Sequence, residues 1–448
     1  MKLMKYFLII SLIISFTGCS SKDVVELRKF PYPYRAALTI CSDIDQTATI
    51  DEFLTVQRYL DDTGETPFGK GLGLEIGNSY WYFNQSMEPI NTEEVNYNDT
   101  SLIQFISNPD SGISLFHGLS DSLNDYVDVL LALLESGYID CLHSYGHFNY
   151  GGFDISMAEK AITLHNDILP VDVFIDHEGA RNEHNIGSNA AFIGDNPSSN
   201  VYHTKISTKA GIKFLWQGHV THCVGQDGNQ TTKNILKNII EYFQDLFDSK
   251  NNYPHNNNLV NIIKMDDGQN IFEFVRFINP WGKFSQADED YIGLQLNRDV
   301  LDELTENEGY LIHYTHLGKH ESDEYLCSKT IEALNDIAYR FTKGELFITT
   351  TSRILNYNVN HKYLNWHYDQ LDDSITIVIE SIENDVDGKY IPTINELTGI
   401  TFYVPDYSKV AIRINNDYIN FQNNPMDYTG RQSVAIPWNK LEFPELEL

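Results

Sequence analysis

Residues 35–45 read Arg-Ala-Ala-Leu-Thr-Ile-Cys-Ser-Asp-Ile-Asp. The run from Ala36 to Cys41 is mostly apolar on both phases of a two-residue repeat, the pattern of a strand buried on both faces. Asp43 and Asp45 follow at its end, two residues apart, so both carboxylates project to the same side. Two carboxylates there repel each other unless a cation or a proton separates them. One can bind a metal while the other stays free as a base.

The same kind of strand recurs down the chain. A helix is expected at about 50–60, with Phe53, Val56 and Leu60 on one face. Gly112 to Phe116 reads as a short strand. Val127, Leu130, Leu131 and Leu134 have helical spacing, and Gly137 stops that helix. Tyr138 to Leu142 is the next strand and delivers His143. Helix and strand then alternate: Met157 to Asn166, Val171 to Ile175, Gly211 to Trp216, an amphipathic helix from Asn234 to Phe247, a helix at Val300 to Leu304, Gly309 to Tyr314, Ser328 to Phe341 and Leu346 to Thr349. Alternation of this kind implies parallel βαβ units and an α/β fold. Functional residues of such folds gather at the strand C-terminal ends. Residues 64–110, rich in Gly and Asn, read as an insertion around the site, with strands at Leu72 to Ile76 and Tyr80 to Phe83.

Past residue 353 the pattern changes. Ile375 to Ile379, Ile400 to Val404, Val410 to Ile414 and Ser433 to Pro437 are short and β-branched, with no helical pattern between them. They predict a small all-β, sandwich-like unit. At the other end, Lys2 and Lys5 precede an apolar stretch from Tyr6 to Phe16, closed by Thr17-Gly18-Cys19. This is a secretory signal, and its end resembles a bacterial lipobox with Phe16 in place of the usual Leu. The expected organisation is a signal peptide at 1–18, a tether at 19–30, a β/α domain at 31–352 and a β-rich unit at 353–448. Lipidated Cys19 would anchor an exported lipoprotein at a membrane, with no spanning helix after it.

The formal net charge is −32, from 63 acidic and 31 basic side chains. That argues against nucleic acid or an anionic membrane surface as the main partner and suits a neutral or cationic substrate. Four cysteines follow Cys19, at 41, 141, 223 and 327, with no CxxC spacing, so a cysteine zinc site is not expected.

Residues 141–148 read Cys-Leu-His-Ser-Tyr-Gly-His-Phe. In one helical turn His143 and His147 would share a face and reach one ion. An Asp with two His is a three-ligand set that leaves a divalent metal open positions, the arrangement of a catalytic centre. His316 and His320 repeat the spacing. His316 follows a strand and could protonate a leaving group. It is preferred over His313 because it lies beyond the apolar run.

With these motifs the chain resembles the NodB-type polysaccharide deacetylases, carbohydrate esterase family four, over roughly residues 31–350. "ALTICSDID" is similar to that family's TFDDG motif, "HSYGH" to its H-[ST]-x-x-H motif, and "LIHYTHLG" to its late Leu-x-His motif. The resemblance implies an irregular (β/α) barrel and a metal-dependent hydrolase that removes acetyl groups, N-acetyl in the main, from a polysaccharide or cell-envelope glycan. It assigns Asp43 as catalytic base, Asp45, His143 and His147 as ligands of a divalent metal, usually zinc, and His316 as general acid. The family's third motif, R-x-x-P-[YF]-G, is absent. Asp176, His177 and Arg181 stand at the matching point as substrate-binding candidates, and Arg181 is a candidate to orient Asp43. Trp216 represents the fourth motif. The alternative is a glycan-binding surface lipoprotein that keeps the fold without turnover.

Overall fold

The computed structural model describes residues 24–87, 112–148, 151–166, 171–177, 181–187, 191–247, 253–254, 256–280, 287–321 and 324–446. The signal segment and Cys19 lie outside the described residues. Ala36–Ser42 is a strand with all seven residues buried. Its side chains divide by parity. Ala36, Leu38 and Ile40 pack with Val56, Tyr59 and Leu60 of helix Ile50–Asp61 and with Leu334 and Ile337 of helix Ser328–Thr342. Ala37 and Cys41 join a different core, with Cys141, Val173, Phe214 and Ile312. Asp43 continues this second set, so its carboxylate is delivered to the inside of the sheet.

That strand lies in the middle of a curled sheet. The order is Val220–Thr221, Arg276–Phe277, Tyr310–Thr315, Ala36–Ser42, Asn78–Tyr80, Ile139–His143, Val173–Ile175, Phe214–Trp216, Asn270–Phe274 and Val260–Lys264, with Leu346–Ile348 beside the start of Ala36–Ser42. Every pair is parallel except Val260–Lys264 with Asn270–Phe274. Parallel pairing puts all the strand C-termini at one end, as the helix–strand alternation implied. The two ends of the curl also meet. Asn270–Phe274 pairs with Phe214–Trp216, and Arg276–Phe277, on the same segment, pairs with Tyr310–Thr315.

Several expectations need correction. The 260–277 hairpin was not foreseen, although Ile271, Phe272, Phe274 and Phe277 make a strand-like run. Leu72 to Ile76 is irregular, and the strand there is Asn78–Tyr80. Gly112 to Phe116 makes only isolated bridges, Ser114 with Trp81 and Phe116 with Leu123. The unit expected to be all-β from residue 353 is preceded and partly occupied by a helix, Thr351–Lys362, which lies ahead of its strands. Asn356, Asn358 and Asn360 weaken its helical signal, but each side chain is tied down, to Asp172 Oδ2 (2.6 Å), Asp227 Oδ2 (3.0 Å) and the Glu396 carbonyl (2.8 Å).

The C-terminal strands form two small sheets. Leu364–Leu371, Ser374–Asn384, Val410–Ile414 and Asp417–Ile419 make one, with Gly388–Tyr390 at its side. Glu26–Arg28, Thr401–Tyr403, Ser433–Ala435 and Gln422–Asn424 make the other. Pairing is antiparallel except between Ser374–Asn384 and Val410–Ile414. Residues 26–28, within the expected tether, are thus a strand. Ile354, Leu355, Ile377 and Phe402 share one core with Val173 and Phe214, so these sheets pack on the curled sheet through the Thr351–Lys362 helix. Among the described residues no helix is long and apolar enough to cross a membrane.

Candidate metal centre

Asp45 sits at the centre of a histidine cluster above the strand C-termini. Its Oδ2 is 3.2 Å from His143 Nδ1, and its Oδ1 is 3.2 Å from His177 Nδ1. Ligand bonds of about 2.0–2.1 Å in a tetrahedron give edges of about this length. The three residues are buried and form a group that can hold a metal ion. The Asp176 backbone hydrogen-bonds the His143 ring, while Nδ1 makes no aligned hydrogen bond although Asp45 is close. That leaves Nδ1 suited to a ligand. Burial, with Arg276 near His143 and the clustered imidazoles as lesser causes, holds the His143 and His177 imidazoles well below their ordinary range. Burial alone lowers His147 to about 4. All three are therefore neutral at pH 7, the form that binds metal.

His147 is placed differently from the expectation. The 143–147 segment is not a helical turn. Ser144 has φ 53° and Gly146 has φ 144°, so the chain leaves the Ile139–His143 strand and starts a second, Gly146–His147, paired with Phe83–Asn84. A Cβ at Gly146 would stand 2.0 Å from the Phe83 carbonyl oxygen, so only glycine fits. His147 Nδ1 then lies 2.9 Å from His177 Nε2 and supports that ring from behind. His177 was only a substrate-contact candidate. Its spacing after the Val173–Ile175 strand was the available signal. Trp81, fully buried, walls the cluster, with its ring 5.8, 5.4 and 5.1 Å from His143, His147 and His177.

Asp43 is held by Arg276. Nη1 donates to Oδ1 at 2.8 Å and Nη2 to Oδ2 at 3.0 Å. The guanidinium lies between two rings, 3.4 Å from the Trp216 centroid and 3.9 Å from that of Tyr314. Burial opposes its charge, but Asp43, Cys41 and Tyr314 together outweigh this and hold the guanidinium above its ordinary range. The orienting role considered for Arg181 therefore falls to Arg276, and Arg181 is half-buried in the 181–187 loop. Trp216 stacks on Arg276 and donates Nε1–H to the His219 carbonyl at 2.7 Å. Asp176 is buried, accepts from Ile186 N at 2.9 Å, and is raised to about 7 by burial. It braces the loop after its strand.

His316 closes the site. Its Nδ1 donates to the Ala287 carbonyl at 2.5 Å, which leaves Nε2 facing Asp45 Oδ2 at 3.7 Å. At 14 % exposure its side chain is the most open of the group, against 9 % for Asp45 and 1 % for Asp43. His313, the competing candidate, is buried against Gln295 Oε1 at 2.8 Å. His320 pairs with Glu52 at 3.1 Å, away from the cluster. Asp43, Asp45 and His316 form a second metal-competent group around the same carboxylate, and a third, Glu289, Asp290 and Cys327, lies at the start of the Ser328–Thr342 helix. Glu289 Oε1 accepts from Cys327 N at 2.8 Å, so this carboxylate caps the helix.

No family model, curated protein or solved structure matches the chain.

Proposed function

We propose that the chain is a metal-dependent hydrolase that removes acetyl groups from a polysaccharide or cell-envelope glycan, on a divergent form of the NodB-type barrel. The observation that carries this reading is the convergence of Asp43, Asp45, His143, His177 and His316 at the C-terminal ends of one curled parallel sheet.

Asp45, His143 and His177 would hold the divalent ion, and their oxygen and nitrogen donors suit zinc. A bound ion there supplies Lewis acidity toward an acyl oxygen. Asp43 is the base that takes a proton from the attacking water. Arg276 fixes both Asp43 oxygens and leaves further lone pairs for that proton. His316 presents Nε2 as the proton donor to the leaving nitrogen or oxygen, with Nδ1 anchored on Ala287. Trp81 and Trp216 exclude water from beneath. The acetyl group would enter past His316, the most open side. Export and anchoring through Cys19 would place the enzyme at the cell envelope.

One observation favours a second reading. Asp43, His143, His147 and His177 are each at most 5 % exposed, which suits a glycan-binding lipoprotein without turnover. Acetate release from acetylated chito-, xylo- and peptidoglycan oligosaccharides decides between them. The hydrolase releases acetate, and Asp43→Asn stops release while metal content stays the same. Glycan binding without release, unchanged in Asp43→Asn, would overturn the hydrolase reading.

A further inference from the structure

The Thr232–Phe247 helix is amphipathic in the reverse sense. Its buried side is polar. Asn234, Lys237 and Glu241 are at most 5 % exposed and recur at helical spacing. Asn234 Nδ2 donates to the Val224 carbonyl at 3.0 Å, and Lys237 Nζ donates to the His222 carbonyl at 2.7 Å. Glu241 Oε1 accepts from His222 N at 2.8 Å. The outward side carries Ile235, Leu236, Ile239, Ile240, Tyr242 and Phe243, each between 41 % and 54 % exposed. Within 235–243 no charged side chain is exposed. Turning an apolar stripe to the outside is unfavourable in water, and contiguous patches of this kind mark interaction sites.

We propose that this helix lies flat on a lipid bilayer as a second membrane contact, independent of the hydrolase reading. Two observations favour lipid as the occupant. The first is position. If Cys19 carries acyl chains, only residues 20–23 separate it from the first described residue, a reach of at most about 18 Å. The strand that follows is tied to the approach to the helix, because Lys29 Nζ donates to the Asp227 carbonyl, five residues before Thr232. The N-terminal strand and the approach to the helix are therefore neighbouring segments, so an anchor at Cys19 would tether the chain close to the start of this helix. The second is charge. A net charge of −32 disfavours a second copy of the chain, whereas the uncharged stripe suits a zwitterionic lipid surface. The helix is about 24 Å long, and such helices rest in the interface plane with the apolar side down.

The test uses the non-lipidated chain from Ser20, so its outcome does not depend on acylation or on catalysis. Co-sedimentation with phosphatidylcholine vesicles is expected, weakening as anionic lipid is added. Leu236→Glu, at the most exposed position of the stripe, and Phe243→Glu should each lower partitioning about tenfold or more. Circular dichroism identical to the parent would show that both variants fold. Failure of the parent chain to sediment with vesicles overturns the proposal, as does sedimentation unchanged by both substitutions. A concentration-dependent dimer that either substitution abolishes, without vesicle binding, assigns the stripe to a second copy and also overturns it.

Discussion

Arg276 and Asp43 form a two-pronged ion pair that is buried from both sides, with the guanidinium fully enclosed and the carboxylate 1 % exposed. Removing one partner of such a pair strands the other charge. Arg276→Met should lower unfolding stability by about 3–5 kcal/mol, read from urea denaturation. Arg276→Lys keeps a charge but loses the fork and the stacking between Trp216 and Tyr314, so it should recover only part of that loss. Full stability in Arg276→Met would mean that the pair is not formed.

The histidines should separate by metal content. His177→Ala is expected to abolish stoichiometric metal, measured by mass spectrometry on the intact chain. His147→Ala removes a support behind His177 and should weaken affinity by about 10–100-fold without abolishing binding. His320→Ala should change nothing. Equal loss in His147→Ala and His177→Ala would make His147 a ligand in its own right.

His316→Asn should lower kcat by about 10²–10⁴-fold, since a proton donor is lost. Metal content should be unchanged. An unchanged kcat would move the acid role elsewhere.

His203 offers a pH test away from the site. Burial lowers it to about 4, partly offset by its bond to the His184 carbonyl. Its folded value lies below the ordinary value of 6.5, so the unfolded chain binds the extra proton between those limits. Its contribution is therefore present above pH 6.5 and lost as the pH falls toward 4. Relative to His203→Gln, the parent should lose about 2 kcal/mol between pH 7 and pH 5. A constant difference would show that the ring is solvated.

Gly146→Ala puts a methyl group against the Phe83 carbonyl at a backbone angle that L-residues avoid. It should destabilise the fold by several kcal/mol, on the order of the larger single-site effects, and lower metal content with it.

The sequence made the strands and their terminal residues legible where periodicity and a motif coincided. Asp43, Asp45, His143 and His316 all lie at the ends of runs recognisable as buried strands. His177 was visible only as a polar residue after such a run, because its approach to Asp45 depends on two chain segments far apart in sequence. That His177 rather than His147 lies beside Asp45 rests on φ values at Ser144 and Gly146, which side-chain spacing does not report. Arg276 was hidden for another reason. An arginine inside an apolar run reads as an interruption until the two rings and the carboxylate that accommodate it are known. The Thr351–Lys362 helix was obscured because its asparagines are poor helix formers, and their compensating partners are remote.

The segment 270–277 joins both ends of the curled sheet, and it places Arg276 against a residue 233 positions earlier. This sets an order of assembly. A nascent chain that has reached residue 269 already contains Asp45, His143, His147 and His177, yet lacks the cation that Asp43 requires and the Tyr310–Thr315 strand that brings His316. Closure over so long a loop is slow compared with local helix formation. The chain can therefore collect its imidazoles early, while the Arg276–Asp43 pair and His316 join them only once the later strands are in place.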